Sequence, residues 1–475
     1  MIRKAITLSI MLFGAVITGV AQEAWSLENC IQHAMENNIQ IKQSVLNTEY
    51  NENLLKQSKL GQIPNLNANS NYSYSWGRAL DQTTYQFTDD QQINSLSMGL
   101  SSSVNLFSGL RVRNTILQDK LNLMASYEDV EKIKNDISLN IAAAYLSIMF
   151  NQELLAVTEG QMEITGQQVE RTRKMVDAGK LARGDLLEIE AQYASEELNL
   201  VNAENQLSIS LLTLQQILDL PIDTTFNIAI PELSDPDENS LVINAMEVYE
   251  IADQEMPEIK SAELAKEVSE KGLKIAKGGR SPQLYLTANY NSGFSDIREQ
   301  VVELGDAQQI PIGITQNSAD PVLSYPQQFP VYGAYPFFEQ IRDNTSAGVG
   351  IRLSIPIFNG WQVNTSIANA RISLENADLE LQSRRLTLYA SIQKAYTDAV
   401  AALKKFTATE RALISMEESF KYTEKKFEVG LVNTVDYNMS KNLLTATQSD
   451  LLQAKYDFIF RIKILNFYKG EPITL

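Results

Sequence analysis

The chain has 475 residues, with 58 Asp+Glu against 40 Lys+Arg and a formal net charge of −18. Hydrophobic residues make up 44% of it, enough for a large core, which excludes global disorder. One Cys and one His leave no disulfide framework, no Cys- or His-based metal cluster and no Ser–His or Cys–His machine, and the acid excess opposes nucleic-acid binding.

Residues 1–21 read as a secretory signal peptide. Arg3 and Lys4 form a basic start, an apolar run follows from Ala5 to Ala21, and Gly19-Val20-Ala21 supplies small residues before Gln22. Cys30 reads as a buried structural thiol. No later segment is expected to cross a membrane as a helix. The next most apolar stretch, Ala142 to Phe150, falls well short of the roughly 20 residues needed. An exported chain of this kind either stays soluble or enters a membrane as β-strands.

A first repeat is expected over 22–221. It opens with a helix at about Leu27–Leu60. From Asn65 to Trp76, Leu66, Ala68, Tyr72, Tyr74 and Trp76 alternate with Asn and Ser, which puts them on opposite faces of a strand. A second strand spans about 96–107. From about 110 to 177 there is no Pro, and Ala, Leu, Glu, Gln, Lys and Ile dominate, as in one long helix. Such a helix would be a rod of about 100 Å. A hairpin tip at 178–185 and a returning helix to Leu218 follow. After a connector at 222–243, a second repeat fills 244–475: helix at about Asn244–Ala276, strands at about 283–291 and 347–358, long helix at about 361–428, tip at 429–436, and returning helix to Phe467. Between its strands lies a loop, 292–344, rich in Pro, Tyr and Phe and read as lacking regular structure.

The duplication is visible residue by residue. At an offset of 251, Phe107-Ser108-Gly109 falls on Phe358-Asn359-Gly360, Ala144-Tyr145 on Ala395-Tyr396, Gly179 on Gly430, Asp185 on Asp436 and Pro221 on Pro472. Upstream the offset is 218, placing Ile41-Lys42 on Ile259-Lys260 and Pro64 on Pro282. Gly179 and Gly430 stand where a left-handed helix end needs glycine, and Asp185 and Asp436 where they can cap the returning helices by accepting N–H bonds.

Strands of this length, apolar on one face and polar on the other, fit an outer-membrane barrel, with Tyr74 and Trp76 as interfacial aromatics. A half-buried soluble sheet shows the same alternation. Four strands leave two unpaired edges that lipid cannot satisfy, so the barrel is expected to be shared among protomers.

With the duplicated Phe-x-Gly junctions (Phe107, Gly109, Phe358, Gly360) and the duplicated Gly-x5-Asp tips in view, the sequence resembles the TolC family of outer-membrane efflux channels over essentially the whole mature chain. The resemblance implies a mixed α+β membrane protein: four transmembrane strands per protomer of a shared twelve-stranded trimeric barrel, continued by a long periplasmic coiled-coil tunnel. It implies a passive homotrimeric exit duct in the outer membrane of a Gram-negative bacterium, not an enzyme and without cofactor. It also implies docking of the tips (Gly179, Lys180, Leu181, Gly430, Leu431, Val432) on a periplasmic adaptor, which links to an inner-membrane transporter. The segment from Pro221 to about Asn244, with Thr224 to Ile230 within it, suits the family's equatorial strands.

The family closes its tip with a Tyr and an Arg bonded to acidic partners. Phe427 and Val432 stand at those positions here, and Met439 replaces a second Asp. Constriction is therefore expected from rings of Asp185 and Asp436 with apolar packing by Phe427, which would favour cations. Loop 292–344 is expected outside the cell, as a variable surface loop or a lid. The alternatives are a periplasm-spanning structural coiled coil, a surface adhesin, or a periplasmic adaptor. None of these accounts for two strand pairs set between helices and two hairpins in one chain.

Overall fold

The computed structural model describes residues 24–78, 87, 91–221, 226–231, 233, 235–236 and 244–474. The signal-peptide reading of 1–21 and most of the 222–243 connector lie outside the described residues. The chain divides into two compact units, one of Met1–Glu49, Met124–Glu263 and Leu379–Leu475, the other of Tyr50–Leu123 and Leu264–Asp378.

The duplication reappears as matched helix lengths. Helices α1 (Leu27–Asn37) and α5 (Ala245–Glu255) have 11 residues each, and α2 (Ile39–Leu60) and α6 (Pro257–Gly278) have 22 each. The long α3 (Arg111–Asp177) and α8 (Gln362–Glu428) have 67 each, and the returning α4 (Arg183–Ile217) and α9 (Thr434–Tyr468) have 35 each.

Each opening helix, expected as one, is broken at the same repeat position. In the first repeat Asn38 is extended; its Oδ1 accepts from the N–H of Gln40 (2.9 Å) and Ile41 (3.3 Å), and its Nδ2 donates to the Ile217 carbonyl (3.0 Å). In the second, Pro257 starts α6, a position where its missing N–H costs nothing.

The core of the first unit follows the helical spacing. Ile137, Ile141, Tyr145 and Ile148 of α3 pack with Leu27, Cys30 and Ala34 of α1 and with Leu214. Val248, Ala252 and Ile259 pack with Leu388 and Ile392 in the second repeat. Each such aliphatic side chain, taken from water, contributes about 1.5–3 kcal/mol. Tyr145 donates its hydroxyl to the carbonyls of Trp25 (3.0 Å) and Ala229. Trp25 and Ile228 form a parallel β-bridge, the one piece of connector pairing among the described residues. One 18-residue stretch of α3 is apolar enough by length and composition to cross a membrane, which corrects the expectation from sequence. The reason is core formation: the same helix buries Ile141, Ala142, Tyr145, Leu146, Ile148 and Met149.

The second unit holds a four-stranded antiparallel sheet in the order β1-β2-β3-β8, made by β1 (Asn67–Gly77), β2 (Gln91–Phe107), β3 (Gln283–Ser295) and β8 (Ser346–Ser354). The register aligns Ala68, Leu100, Tyr290 and Ala347 across the sheet, and Asn67, Ser101, Asn289 and Gly348 on the next row. One face is thus apolar and the other is built of amides, hydroxyls and glycines. β8 ends at Ser354, earlier than expected, because Pro356 has no N–H to give. Among the described residues, β1 and β8 each pair on one side only.

Loop 292–344 is not structureless. β4 (Glu299–Leu304) pairs with β7 (Pro330–Ala334), a Gln308–Gln327 bridge continues the pairing, and β5 (Pro311–Ile314) pairs with β6 (Pro321–Leu323). The result is a two-stranded arm. Three of the prolines that suggested a break instead begin strands, where no ladder N–H is required of them. The helix α7 (Phe337–Asp343) roots the arm: Gln340 is fully buried, donates to the Ser295 carbonyl (2.9 Å) and accepts from the Ser295 N–H (3.1 Å).

Candidate functional site

Both hairpin tips lie in the first unit, and both are built the same way. Gly179 (φ +70°) follows α3 and Gly430 (φ +75°) follows α8. The Gly179 N–H reaches the Val176 carbonyl (2.9 Å) and the Lys180 N–H the Met175 carbonyl (2.8 Å). The Gly430 N–H reaches Phe427 (3.1 Å) and the Leu431 N–H reaches Lys426 (2.9 Å). This paired bonding satisfies the last carbonyls of each long helix and requires the left-handed residue that glycine supplies.

The helix starts differ. Asp185, third residue of α4, accepts from the Ala182 N–H (3.2 Å). In α9 the corresponding cap is Asn433, whose Oδ1 accepts from the Asp436 N–H (2.8 Å). Asp436 is therefore not the acceptor that its repeat position suggested; a better acceptor stands three residues earlier, and the Asp436 carboxylate is left exposed.

The two tips line one cleft of about 610 Å³, which gathers Lys180, Leu181, Asp185, Phe427, Gly430, Leu431, Val432 and Asp436. Phe427 is half-buried, stacked on Tyr437 with centroids 4.6 Å apart and planes at 26°. Tyr437 is itself buried, and that burial pushes its phenol up to about 12. At the outer edge, Leu431 and Val429 are exposed. Arg171 and Glu428 pair at 3.1 Å across α3 and α8.

Above the cleft is a group that sequence reading missed. Lys441 of α9 is only 2% exposed; its Nζ lies 3.2 Å from Glu196 Oε1, donates to the Gln161 carbonyl (3.0 Å) and reaches Thr165 Oγ1. Glu196 also accepts from Gln192 (2.9 Å). Burial lowers the Lys441 pKa, and Glu196 opposes that shift. Nothing local in the sequence marks the pair, because its partners come from three helices and the buried face of α9 around Lys441 is mixed, with Thr434 and Asn438 beside Tyr437 and Leu444.

The remaining predicted residues lie in the second unit. Gly109 (φ +64°) and Gly360 (φ +61°) link strands to long helices, each followed by a second left-handed residue, Leu110 (φ +63°) and Trp361 (φ +69°). A Cβ on Gly109 would lie 2.4 Å from Ser281, so only glycine fits. Phe107 and Phe358 are exposed beside these turns. Tyr74 and Trp76 stack at 6.3 Å on the apolar face of β1, and both are exposed. The exposed Trp361 escaped the sequence reading of interfacial aromatics because it follows the strand instead of alternating within it.

The family model described as outer membrane efflux protein matches residues 30–219 and 248–459, the two repeats. The chain is 22% identical over 458 residues to the outer membrane protein TolC of Escherichia coli (strain K12), covering 94% of this chain and 83% of that one. It is 20% identical over 470 residues to the alkaline protease secretion protein AprF of Pseudomonas aeruginosa, covering 97% and 88%. Among solved structures, the outer membrane protein VceC of Vibrio cholerae matches with a TM-score of 0.73 at 14% identity, covering 93% of this chain and 96% of that one. The CmeC outer membrane channel of Campylobacter jejuni matches with a TM-score of 0.73 at 15% identity, covering 94% and 85%. At these identities the structural likeness concerns the fold.

Proposed function

The chain belongs to the outer membrane efflux protein family, and from that premise we propose that it is a passive exit duct, not an enzyme, working as a homotrimer in the outer membrane. Three four-stranded sheets would close one twelve-stranded barrel, and the long helices would line a periplasmic tunnel. The observation that carries this reading is the sheet itself. Among the described residues β1 and β8 have unpaired edges, and the apolar face is bare, with Val349 and Ile351 both strongly exposed. Lipid tolerates the bare face but not the open edges, and neighbouring copies remove both edges at once. The helices support it too: Leu187, Leu198, Val201, Ile209 and Leu212 of α4 are exposed and share one helical stripe, as a helix awaiting a neighbour would show.

The tip cleft is the surface we assign to a periplasmic adaptor, itself coupled to an inner-membrane transporter. Gly179, Lys180, Leu181, Gly430, Leu431 and Val432 present its turns, while Asp185 and Asp436 supply carboxylates beside the opening. The names of two relatives, an outer membrane efflux protein in one case and an alkaline protease secretion protein in the other, support efflux or secretion as the duct's task.

The test is fractionation and native mass measurement of the detergent-extracted protein, followed by planar-bilayer recording. A three-chain mass from the outer-membrane fraction with discrete conductance is expected. A soluble monomer would end the proposal.

A further inference from the structure

We propose that the helix-to-strand end of the second unit is a collar that binds the phosphate groups of anionic lipids in the bilayer leaflet it meets. The inference rests on the barrel reading above and goes beyond it.

The four stretches that run into and out of the sheet at this end are 53–77, 91–118, 271–295 and 345–374. Together they hold ten Lys and Arg and no Asp or Glu, in a chain whose net charge is −18. The acids resume directly beyond these limits, at Glu52, Asp119, Glu270 and Glu375, so the basic residues form a local band, where a solvated helical surface would mix both signs. The pattern also obeys the repeat. Lys56 and Lys59 near the end of α2 fall, at the offset of 218, on Lys274 and Lys277 near the end of α6. All four are exposed, and none makes an ion pair among the described residues.

Helix electrostatics explain only part of this. Lys59 and Lys277 sit in last turns, where the helix dipole welcomes a cation. Arg111 and Arg113 open α3, where the dipole disfavours one, and no acidic residue stands in that first turn to compensate. The Arg111 side chain lies against Gly278, the last residue of α6, where that helix's dipole welcomes a cation, so it is Arg113 whose charge is left for an anion from outside the chain.

The apolar surface next to the collar identifies that anion. Leu66, Leu106, Ile355 and Ile357 are exposed at the same end of the sheet, Ile357 at 94%. An acidic protein would leave this apolar surface wet. A lipid leaflet covers it with acyl chains and presents phosphates at the level where flexible Lys and Arg stems reach. Arg352, one of the ten, lies on the polar face of β8 by alternation with Gly350 and Gly348, which leaves nine Lys and Arg for the lipid contacts.

The experiment uses the full protein in nanodiscs of phosphatidylcholine, with and without phosphatidylglycerol. Lipid retention is read by native mass spectrometry and stability by thermal unfolding. Wild type is expected to retain phosphatidylglycerol preferentially and to unfold at higher temperature in its presence. Each lysine neutralised in a K56Q/K59Q/K274Q/K277Q series should cut the preference by roughly fivefold, and the matching Lys→Arg variant should keep it. Equal retention of the two lipids by wild type, or an unchanged preference in the Gln variant, would overturn the collar while leaving the barrel standing. Stabilisation by inorganic phosphate alone to the same extent would reassign the site to a soluble anion and also overturn it. Failure of the chain to enter nanodiscs at all would instead remove the barrel reading.

Discussion

Two side chains buried in the first unit make opposite demands on their surroundings. Cys30 is fully buried in an apolar cluster, and burial, with Glu28 adding to it, pushes its thiol up to about 12. Thiolate is the reactive form, so Cys30 is expected to resist maleimide in the native protein at pH 8 and to react once the chain is unfolded in guanidinium. Rapid native labelling would contradict the packing around α1. Lys441 is buried with its charge, and its stability depends on Glu196. Lys441→Met strands that carboxylate and should cost about 3–5 kcal/mol, while Lys441→Met with Glu196→Gln should recover most of the loss. Denaturant midpoints of the three proteins decide the matter. Because the Lys441 pKa is lowered from 10.5, the unfolded chain binds more protons at this site between the two values. Its contribution to stability therefore rises with pH across that window and falls as pH drops through the folded value.

At the scale of the element, the repeat makes a controlled comparison. Gly109 and Gly360 occupy equivalent turns with φ of +64° and +61°, but a Cβ on Gly360 meets nothing within 4 Å, whereas on Gly109 it meets Ser281 and the Gly278 carbonyl. Gly360→Ala should cost about 1 kcal/mol, the left-handed penalty alone. Gly109→Ala should cost at least about twice that, because steric collision adds to it. Thermal midpoints of the two variants give the ratio, and equal shifts would mean the Gly109 turn relaxes freely.

Much of the fold at this scale was legible. The absence of Pro over 110–177 and 361–428 located both long helices, and strict alternation located β1. What stayed hidden had physical reasons. Asn38 breaks a helix by capping the next one, a preference that competes unseen with the helical pattern on both sides of it. The arm's prolines look like breakers until pairing shows them at strand starts. The Asn433 cap took the place expected of Asp436 because two good capping residues compete within one turn.

Across the whole molecule, the candidate site was legible as a set of positions and not as a chemistry. Gly179 and Gly430 were marked by duplication, and their cleft unites two tips that lie 251 residues apart. Phe427 stacks on Tyr437 of the returning helix, a partner that only folding supplies. If the exposed Asp436 and half-buried Asp185 ring a shared opening, Asp185→Asn with Asp436→Asn should shift the reversal potential of the reconstituted channel away from cation preference. An unchanged potential at full conductance would place the limiting charge elsewhere.

The arm between Glu299 and Ala334 contains no lysine or arginine. Trypsin therefore has no cleavage point anywhere along it, and the span from Glu299 to Arg342 can leave only as a single large peptide. A tryptic peptide map would therefore be prone to miss this part of the molecule. Chymotrypsin, which has Leu304, Leu323 and Tyr332 to cut after, all of them exposed and none followed by proline, would divide it into pieces of ordinary size.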